Sequence, residues 1–130
     1  MPSRRPHTIR VAAALLPEGL AGPVEVVLDG GRIEHVRPGT DPGDGSLLAP
    51  GFVDLQVNGV DDVDVSVADG GDWERLDGLL AATGVTAWLP TVVRRPLDRY
   101  AGVLERISGA VGRQGSRPAV LGAHLEGPFL

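Results

Sequence analysis

The feature that most constrains the fold is a nine-residue run, 85–93 (VTAWLPTVV), that is apolar almost throughout. A strand with one face in water alternates polar and apolar residues, so a run without alternation indicates a strand buried on both faces. Two segments on either side of it, 72–82 and 97–111, carry apolar residues at helical spacing. Apolar strands joined by amphipathic helices are typical of a parallel sheet covered by helices. The sequence therefore predicts an α/β protein.

Three strands and two helices are predicted after Pro50. The first helix is expected to have Asp72 as its N-cap and Gly84 just beyond its end. The predicted strands are 52–58, 85–93 and 119–125, and the helices 72–82 and 97–111. The apolar helix faces consist of Trp73, Leu76, Leu79 and Leu80 in the first helix and Leu97, Tyr100, Leu104, Ile107 and Val111 in the second.

The chain before Pro50 has a different residue pattern, with short runs of β-branched residues. Short β-branched runs at 8–16, 24–28 and 32–37 predict strands. Asp29-Gly30-Gly31 separates the last two runs, and its glycines accept the positive φ angles of a tight hairpin turn. We expect a small antiparallel β segment over 1–49 and a second domain over 50–130.

Composition excludes several classes of function. The 12 basic residues are all arginine, so the chain has no lysine for a P-loop or a Schiff base. It has no cysteine, which excludes thiol nucleophiles and Cys-based zinc sites. A net charge of -5 disfavours nucleic-acid binding, which needs a basic face. Only metals held by histidine and carboxylates remain open.

The sequence contains no predicted membrane segment. Its amino-terminal apolar run, 11–16, is far shorter than the roughly 18 residues that a bilayer-spanning helix needs. Ser3-Arg4-Arg5 precedes that run in the manner of a twin-arginine signal, but the run is also too short for an export signal. We expect a cytoplasmic protein without a membrane partner.

The last predicted strand carries a histidine and a glutamate. His124 and Glu126 are two residues apart, so both side chains project from one face of the strand. Gly127-Pro128 then ends the strand, because proline has no amide hydrogen for the ladder. The carboxyl end of a parallel strand is where α/β barrels keep their catalytic groups. The alternative to a catalytic role is that His124 and Glu126 form a hydrogen-bonded structural pair at the strand end.

The first strand after Pro50 places three polar side chains on one face: Asp54, Gln56 and Asn58. If this face is buried, each polar group needs a partner, since an unpaired one costs about 1–3 kcal/mol. The alternative is an edge strand with this face in water and with Leu55 and Val57 packed on the other side.

The acidic stretch 61–74 does not match a calcium loop. With Asp62 as the first ligand, Val67 stands where an EF-hand needs glycine and Trp73 where it needs glutamate. We expect a solvated loop there. Arg94-Arg95 follow the second predicted strand and either meet an anionic substrate or are solvated.

Three segments together resemble the start of the N-acetylglucosamine-6-phosphate deacetylases, a family of the amidohydrolase superfamily. They are LAPGFVDLQVNG (48–59), GVTAWLPTVV (84–93) and LGAHLEGPFL (121–130), and HLEGPF is the most specific part. The resemblance implies an incomplete TIM-like barrel, comprising its first three β strands with two helices, preceded by a small antiparallel β-sandwich segment. A complete barrel has eight strands and about 250 residues, so we expect a truncated amino-terminal part of the enzyme.

The resemblance also assigns site residues. Amidohydrolases usually carry two histidines where this chain has Gln56 and Asn58. This difference resembles the single-metal branch of the deacetylases, in which the glutamate of HLEGP is a metal ligand. Glu126 is thereby expected to bind one divalent metal, with zinc the first choice, while Gln56, Asn58 and His124 line the site. No catalytic acid or base is identifiable. After Asn58 the family often has a glycine run, and here Gly59-Val60-Asp61-Asp62 follows instead.

The activity implied is hydrolysis of the N-acetyl amide of N-acetylglucosamine 6-phosphate to glucosamine 6-phosphate and acetate. The implied partners are a phosphorylated amino-sugar substrate and a second copy in a homodimer. The chain itself is expected to be inactive and prone to aggregate, since its apolar strands lack closing neighbours. The alternatives are another amidohydrolase, dihydroorotase-like or deaminase-like, and a non-catalytic remnant.

Overall fold

The computed structural model describes residues 6–127, which divide into two compact units. The first unit ends at Pro50 and the second begins at Gly51. No helix among the described residues has both the length and the apolar character needed to cross a bilayer.

The first unit contains two three-stranded sheets. One has the order β1 (His7–Val11), β4 (Val24–Asp29), β5 (Arg32–Pro38), and all of its pairs are antiparallel. The other has the order β3 (Gly19–Ala21), β2 (Ala13–Leu16), β6 (Leu47–Leu48), in which the β2–β6 pair is parallel. The core of the first unit consists of Val11, Ala14, Val24 and Val26.

The sequence predicted part of this arrangement. The hairpin at Asp29-Gly30-Gly31 is confirmed, and both glycines have positive φ angles, +56° and +80°. The single strand predicted over 8–16 is wrong, because the chain bends at Ala12 and passes from one sheet to the other. The amide of Ala12 donates to the carbonyl of Ser46 at 3.0 Å, a partner that local sequence does not reveal. Strands β3 and β6 were not predicted.

The second unit is built around a central strand, β10 (Val85–Val93), whose bounds match the prediction. Strands β7 (Phe52–Val57), β11 (Ala119–Val120) and β12 (His124–Glu126) all pair with it in parallel. The α/β architecture with a parallel sheet is thus confirmed.

Two helices cover this sheet. They are α1 (Asp72–Ala82) and α2 (Tyr100–Ala110), the second preceded by a 3-10 turn at Leu97–Arg99. Trp73 of α1 packs on Trp88 of β10 with ring centroids 6.3 Å apart. Around this pair lie the other buried apolar residues of the helices and of the central strand: Leu76, Leu80, Val85, Val92, Tyr100, Val103, Ile107 and Ala110.

Several predicted details of the helices are wrong. The N-cap of α1 is Gly71, and the Asp72 carboxylate instead accepts a hydrogen bond from the Asp69 amide at 3.1 Å. Leu97 and Val111 lie outside α2 and are exposed, because the first turn is 3-10 and the helix ends at Ala110. The bounds of α1 and the positive φ of Gly84 after its end are as predicted.

Two strand predictions also need correction. The strand expected over 119–125 is split into β11 and β12 by Gly122, whose φ of +154° is outside the usual range for a strand residue. The acidic stretch expected to be a loop begins with a short hairpin, β8 (Gly59–Val60) and β9 (Val63–Asp64). Asp61 at the hairpin tip has a φ of +55°.

A buried carboxylate connects α1 to the segment before β11. Asp77 is 6% exposed although it lies on the packed face of the helix. It accepts hydrogen bonds from Arg113 at 2.8 Å and from Arg117 at 3.2 Å. The Arg113 guanidinium also lies over the Trp73 ring, 5.9 Å from its centroid. These contacts hold the α2–β11 connection against α1.

Apolar residues of β7 are left in water within the second unit. Phe52, Val53 and Leu55 are 68%, 55% and 60% exposed. The edge-strand alternative for β7 expected Leu55 and Val57 to pack together on its other face, but only Val57 is buried. A strand with exposed apolar side chains at one edge of a sheet is a site of self-association.

We predict that Asp77→Ala destabilises the protein by about 3 kcal/mol, because Arg113 and Arg117 lose the buried carboxylate with which both are paired. Urea unfolding followed by the fluorescence of Trp73 and Trp88 measures the change. Asp98→Ala is the matched control, since Asp98 is exposed and 3.9 Å from Arg99, and should change stability by less than about 0.5 kcal/mol. Equal losses in the two variants would contradict the prediction.

We also expect the 130-residue chain, produced by itself, to self-associate and to bind the dye ANS through its exposed β7 residues. Light scattering after size-exclusion chromatography and ANS fluorescence measure this. Leu55→Thr removes exposed apolar surface with little loss of strand propensity, so it should lower both signals. A monomer with one sharp, reversible unfolding transition would count against the expectation.

Candidate functional site

The predicted site residues lie at the carboxyl ends of β7, β10 and β12. Because these strands are parallel, their carboxyl ends meet at one edge of the sheet. Thr91 of β10 is in register with His124, and Val93 is in register with Glu126. The last paired residue of β7 is Val57, opposite Pro90. The polar side chains of three strands are thereby gathered in one place.

The structure brings Gln56 and Glu126 together. The Gln56 Nε2 amide lies 3.5 Å from the Glu126 Oε2 atom, a long hydrogen bond between residues 70 positions apart in sequence. Glu126 is half-buried and forms no salt bridge with any of residues 6–127. Its carboxylate is therefore held only loosely, by one long contact.

His124 contacts Thr91 rather than Glu126. Its Nδ1 atom lies 3.4 Å from the Thr91 hydroxyl, which also lies 3.3 Å from the Leu89 carbonyl. A hydroxyl has one proton, so donation to Leu89 leaves its oxygen to accept from His124. This arrangement favours the tautomer with the proton on Nδ1, which leaves Nε2 as the acceptor. Thr91 is buried, and sequence reasoning missed it because a threonine in a strand carries no signal of its own.

Asn58 lies on the other side of the site, directly after β7. It lines a cavity of about 370 Å³ between the hairpin β8–β9 and the end of β10. Its backbone carbonyl accepts a hydrogen bond from the Val65 amide at 3.0 Å, which ties β7 to the chain after the hairpin. The other lining residues are Gly59, Asp61, Asp62, Val63, Asp64, Ser66, Thr91 and Val93.

Asp54, the third of the polar residues predicted on one face of β7, forms a hydrogen bond within its own strand. Its Oδ1 atom accepts a hydrogen bond from the Gln56 amide at 3.1 Å. Gln56 of the same strand and Asn58 directly after it are exposed. The carboxylate of Asp54 thus stabilises the backbone of its own strand.

An arginine of α1 holds the hairpin that walls the cavity. The Arg75 guanidinium donates to Asp62 at 2.6 Å and to Asp61 at 2.8 Å. The pKa of Arg75 is raised above its usual value, chiefly by the hydrogen bond to Asp62, so the group stays charged. Two of the three carboxylates in the hairpin thus share one positive charge, and Asp64 accepts a hydrogen bond from the Ser66 amide.

The donor set near Glu126 suits part of a metal site. Glu126 offers a carboxylate that no cationic side chain of residues 6–127 pairs with, and Gln56 adds only a neutral amide. No three histidine or acidic side chains cluster within metal-binding reach among residues 6–127. A catalytic zinc needs three protein ligands, so this part of the chain fits as the source of one ligand.

The known proteins that are similar to this chain are named deacetylases of amino-sugar 6-phosphates. No protein-family model matches the chain. The N-acetylgalactosamine-6-phosphate deacetylase of Escherichia coli O157:H7 is 32% identical over 126 residues, 95% of this chain and 33% of that protein. The N-acetylglucosamine-6-phosphate deacetylase of Bos taurus is 43% identical over 90 residues, 66% of this chain and 22% of that protein.

A solved structure shows the same fold. The N-acetylglucosamine-6-phosphate deacetylase of Thermotoga maritima superposes with a TM-score of 0.82 at 27% identity, over 95% of this chain and 33% of that one. The chain spans about a third of the length of the relatives it matches. It is therefore a homologue of part of the N-acetylglucosamine-6-phosphate deacetylases.

Proposed function

We propose that the intact gene product is a metal-dependent hydrolase that removes the acetyl group from N-acetylglucosamine 6-phosphate, giving glucosamine 6-phosphate and acetate. The observation that carries this proposal is the pairing of Glu126 with Gln56 at the carboxyl ends of a parallel sheet. Relatives of the chain are named deacetylases of N-acetylated amino-sugar 6-phosphates, which supports this substrate class.

Glu126 would hold the metal through its carboxylate. Gln56 donates one long hydrogen bond to that carboxylate and remains uncharged, so it does not neutralise the ligand. His124 and Asn58 line the site on either side, His124 anchored on Thr91 and Asn58 facing the cavity. A zinc ion bound there supplies Lewis acidity toward the amide carbonyl of the substrate.

The setting of this site would be a larger barrel. The four parallel strands of the second unit and their two helices would form the beginning of a TIM-like barrel, and the first unit would belong to a small β-sandwich. The remaining metal ligands and the general base would come from strands outside residues 6–127. We place the protein in the cytoplasm and expect a homodimer.

We predict that Glu126→Ala in the intact gene product abolishes both acetate release from N-acetylglucosamine 6-phosphate and zinc binding, because the site loses an anionic ligand. Coupled acetate detection and zinc titration against a chelating dye measure the two effects. Glu105→Ala, an exposed glutamate of α2, serves as the control and should leave both at the wild-type level. Wild-type activity in Glu126→Ala would refute the assignment.

We predict that Gln56→Glu tightens zinc binding and lowers the stability of the metal-free protein. The change puts a second carboxylate near Glu126, where the wild-type contact is 3.5 Å, and the two like charges repel until a cation neutralises them. Thermal unfolding with and without zinc measures the difference. A zinc-induced stabilisation no larger than that of the wild type would contradict this role for Gln56.

A further inference from the structure

We infer that Arg75 is a positioning residue for substrate binding, because it fixes the tip of the hairpin β8–β9 that walls the cavity beside Asn58. The inference rests on the proposed function and adds to it that the sugar of the substrate enters this cavity. Arg75 does not itself line the cavity, so it would act only through the hairpin.

The cavity lies at the level of the candidate metal ligand. Two of its lining residues, Thr91 and Val93, are in register with His124 and Glu126 on the neighbouring strand. Its volume of about 370 Å³ is within the roughly 300–1,000 Å³ of small-molecule sites. Asn58 and the hairpin carboxylates offer hydrogen-bonding groups to hydroxyls. An uncharged ring bearing several hydroxyls therefore suits this cavity, whereas the excess of carboxylates disfavours a phosphate there.

The hairpin cannot hold its position by strand pairing alone. Each of its strands has two residues, and a hairpin of this kind is only marginally stable by itself. Its second strand and the chain after it are anchored, because Val63 and Val65 are buried and the Val65 amide donates to the Asn58 carbonyl at 3.0 Å. Arg106 of α2 donates to the Ser66 carbonyl at 3.0 Å. These contacts leave the tip of the hairpin to be fixed by other groups.

Arg75 holds the tip from helix α1. The carboxylates of Asp61 and Asp62 are exposed and accept hydrogen bonds from the Arg75 guanidinium at 2.8 Å and 2.6 Å. Among residues 6–127, no other cationic side chain pairs with either carboxylate.

Removal of Arg75 would leave the tip without its anchor. Asp61 and Asp62 would then repel each other and Asp64, which lines the same cavity. Asp61 also has a φ of +55°, which is uncommon for a residue other than glycine. The wall would be free to move, and three negative charges at the cavity would lack a paired cation.

Arg75→Ala in the intact gene product tests this inference. We expect the KM for N-acetylglucosamine 6-phosphate to rise about fivefold, which is the size that a surface ion pair can supply, while kcat and zinc affinity stay at the wild-type level. Arg75→Lys keeps the charge and should restore the KM in part. Arg10→Ala is the matched control, because the Arg10 and Arg75 side chains are both 49% exposed and Arg10 pairs with Glu25 in the first unit. It should leave the KM unchanged.

The tip carboxylates provide a second test. In the Asp61→Asn/Asp62→Asn variant, Arg75 has no negative charge to pair with at the tip, so adding Arg75→Ala should change the KM by less than about twofold. A wild-type KM in Arg75→Ala, or the same rise in both backgrounds, would overturn this inference and leave the proposed function intact. A wild-type protein that releases no acetate from the substrate would overturn the proposed function and this inference with it.

Discussion

The burial of β10 between neighbouring strands and two helices is the constraint on which the second unit depends. Trp88 of β10 packs on Trp73 of α1. Thr91, three residues further along β10, contacts His124 at the site. Every other strand of this sheet pairs with β10. The register of these pairs determines which residues lie opposite each other on adjacent strands. It places His124 beside Thr91 and Glu126 beside Val93. The hydrophobic packing of one strand thus sets the geometry of the polar site at its end.

The elements that pattern alone predicts are those whose partners lie close in sequence or whose periodicity is regular. The bounds of α1 and β10 follow from apolar spacing, and the Asp29-Gly30-Gly31 hairpin follows from the glycines that its turn requires. The bend at Ala12 and the break at Gly122 are different, because they depend on distant hydrogen bonds. Ala12 donates to Ser46, and Leu121 donates to the Trp88 carbonyl at 3.0 Å. No local pattern encodes such partners.

The residues of the candidate site, like the elements of the fold, were predictable only in part. Alternation along a strand places His124 and Glu126 on one face, and family resemblance adds Gln56, which the structure brings to Glu126. Thr91, which contacts His124, was missed, because a threonine in a strand is an ordinary core residue by pattern. Asp77 was missed for another reason: its arginine partners lie 36 and 40 residues away, so a charged residue on the packed face of α1 had no visible counter-charge.

The choice of a neutral amide beside Glu126 has a physical consequence for the site. An arginine at position 56 would neutralise the carboxylate and compete with any cation, while an aspartate or glutamate would repel it and raise its pKa in the metal-free state. Glutamine does neither, because its amide is neutral and still contacts the Glu126 carboxylate across β10. A carboxylate in that condition is a good single ligand and a poor half of a structural ion pair. A neutral neighbour of this kind is consistent with the proposed role of Glu126 as a metal ligand.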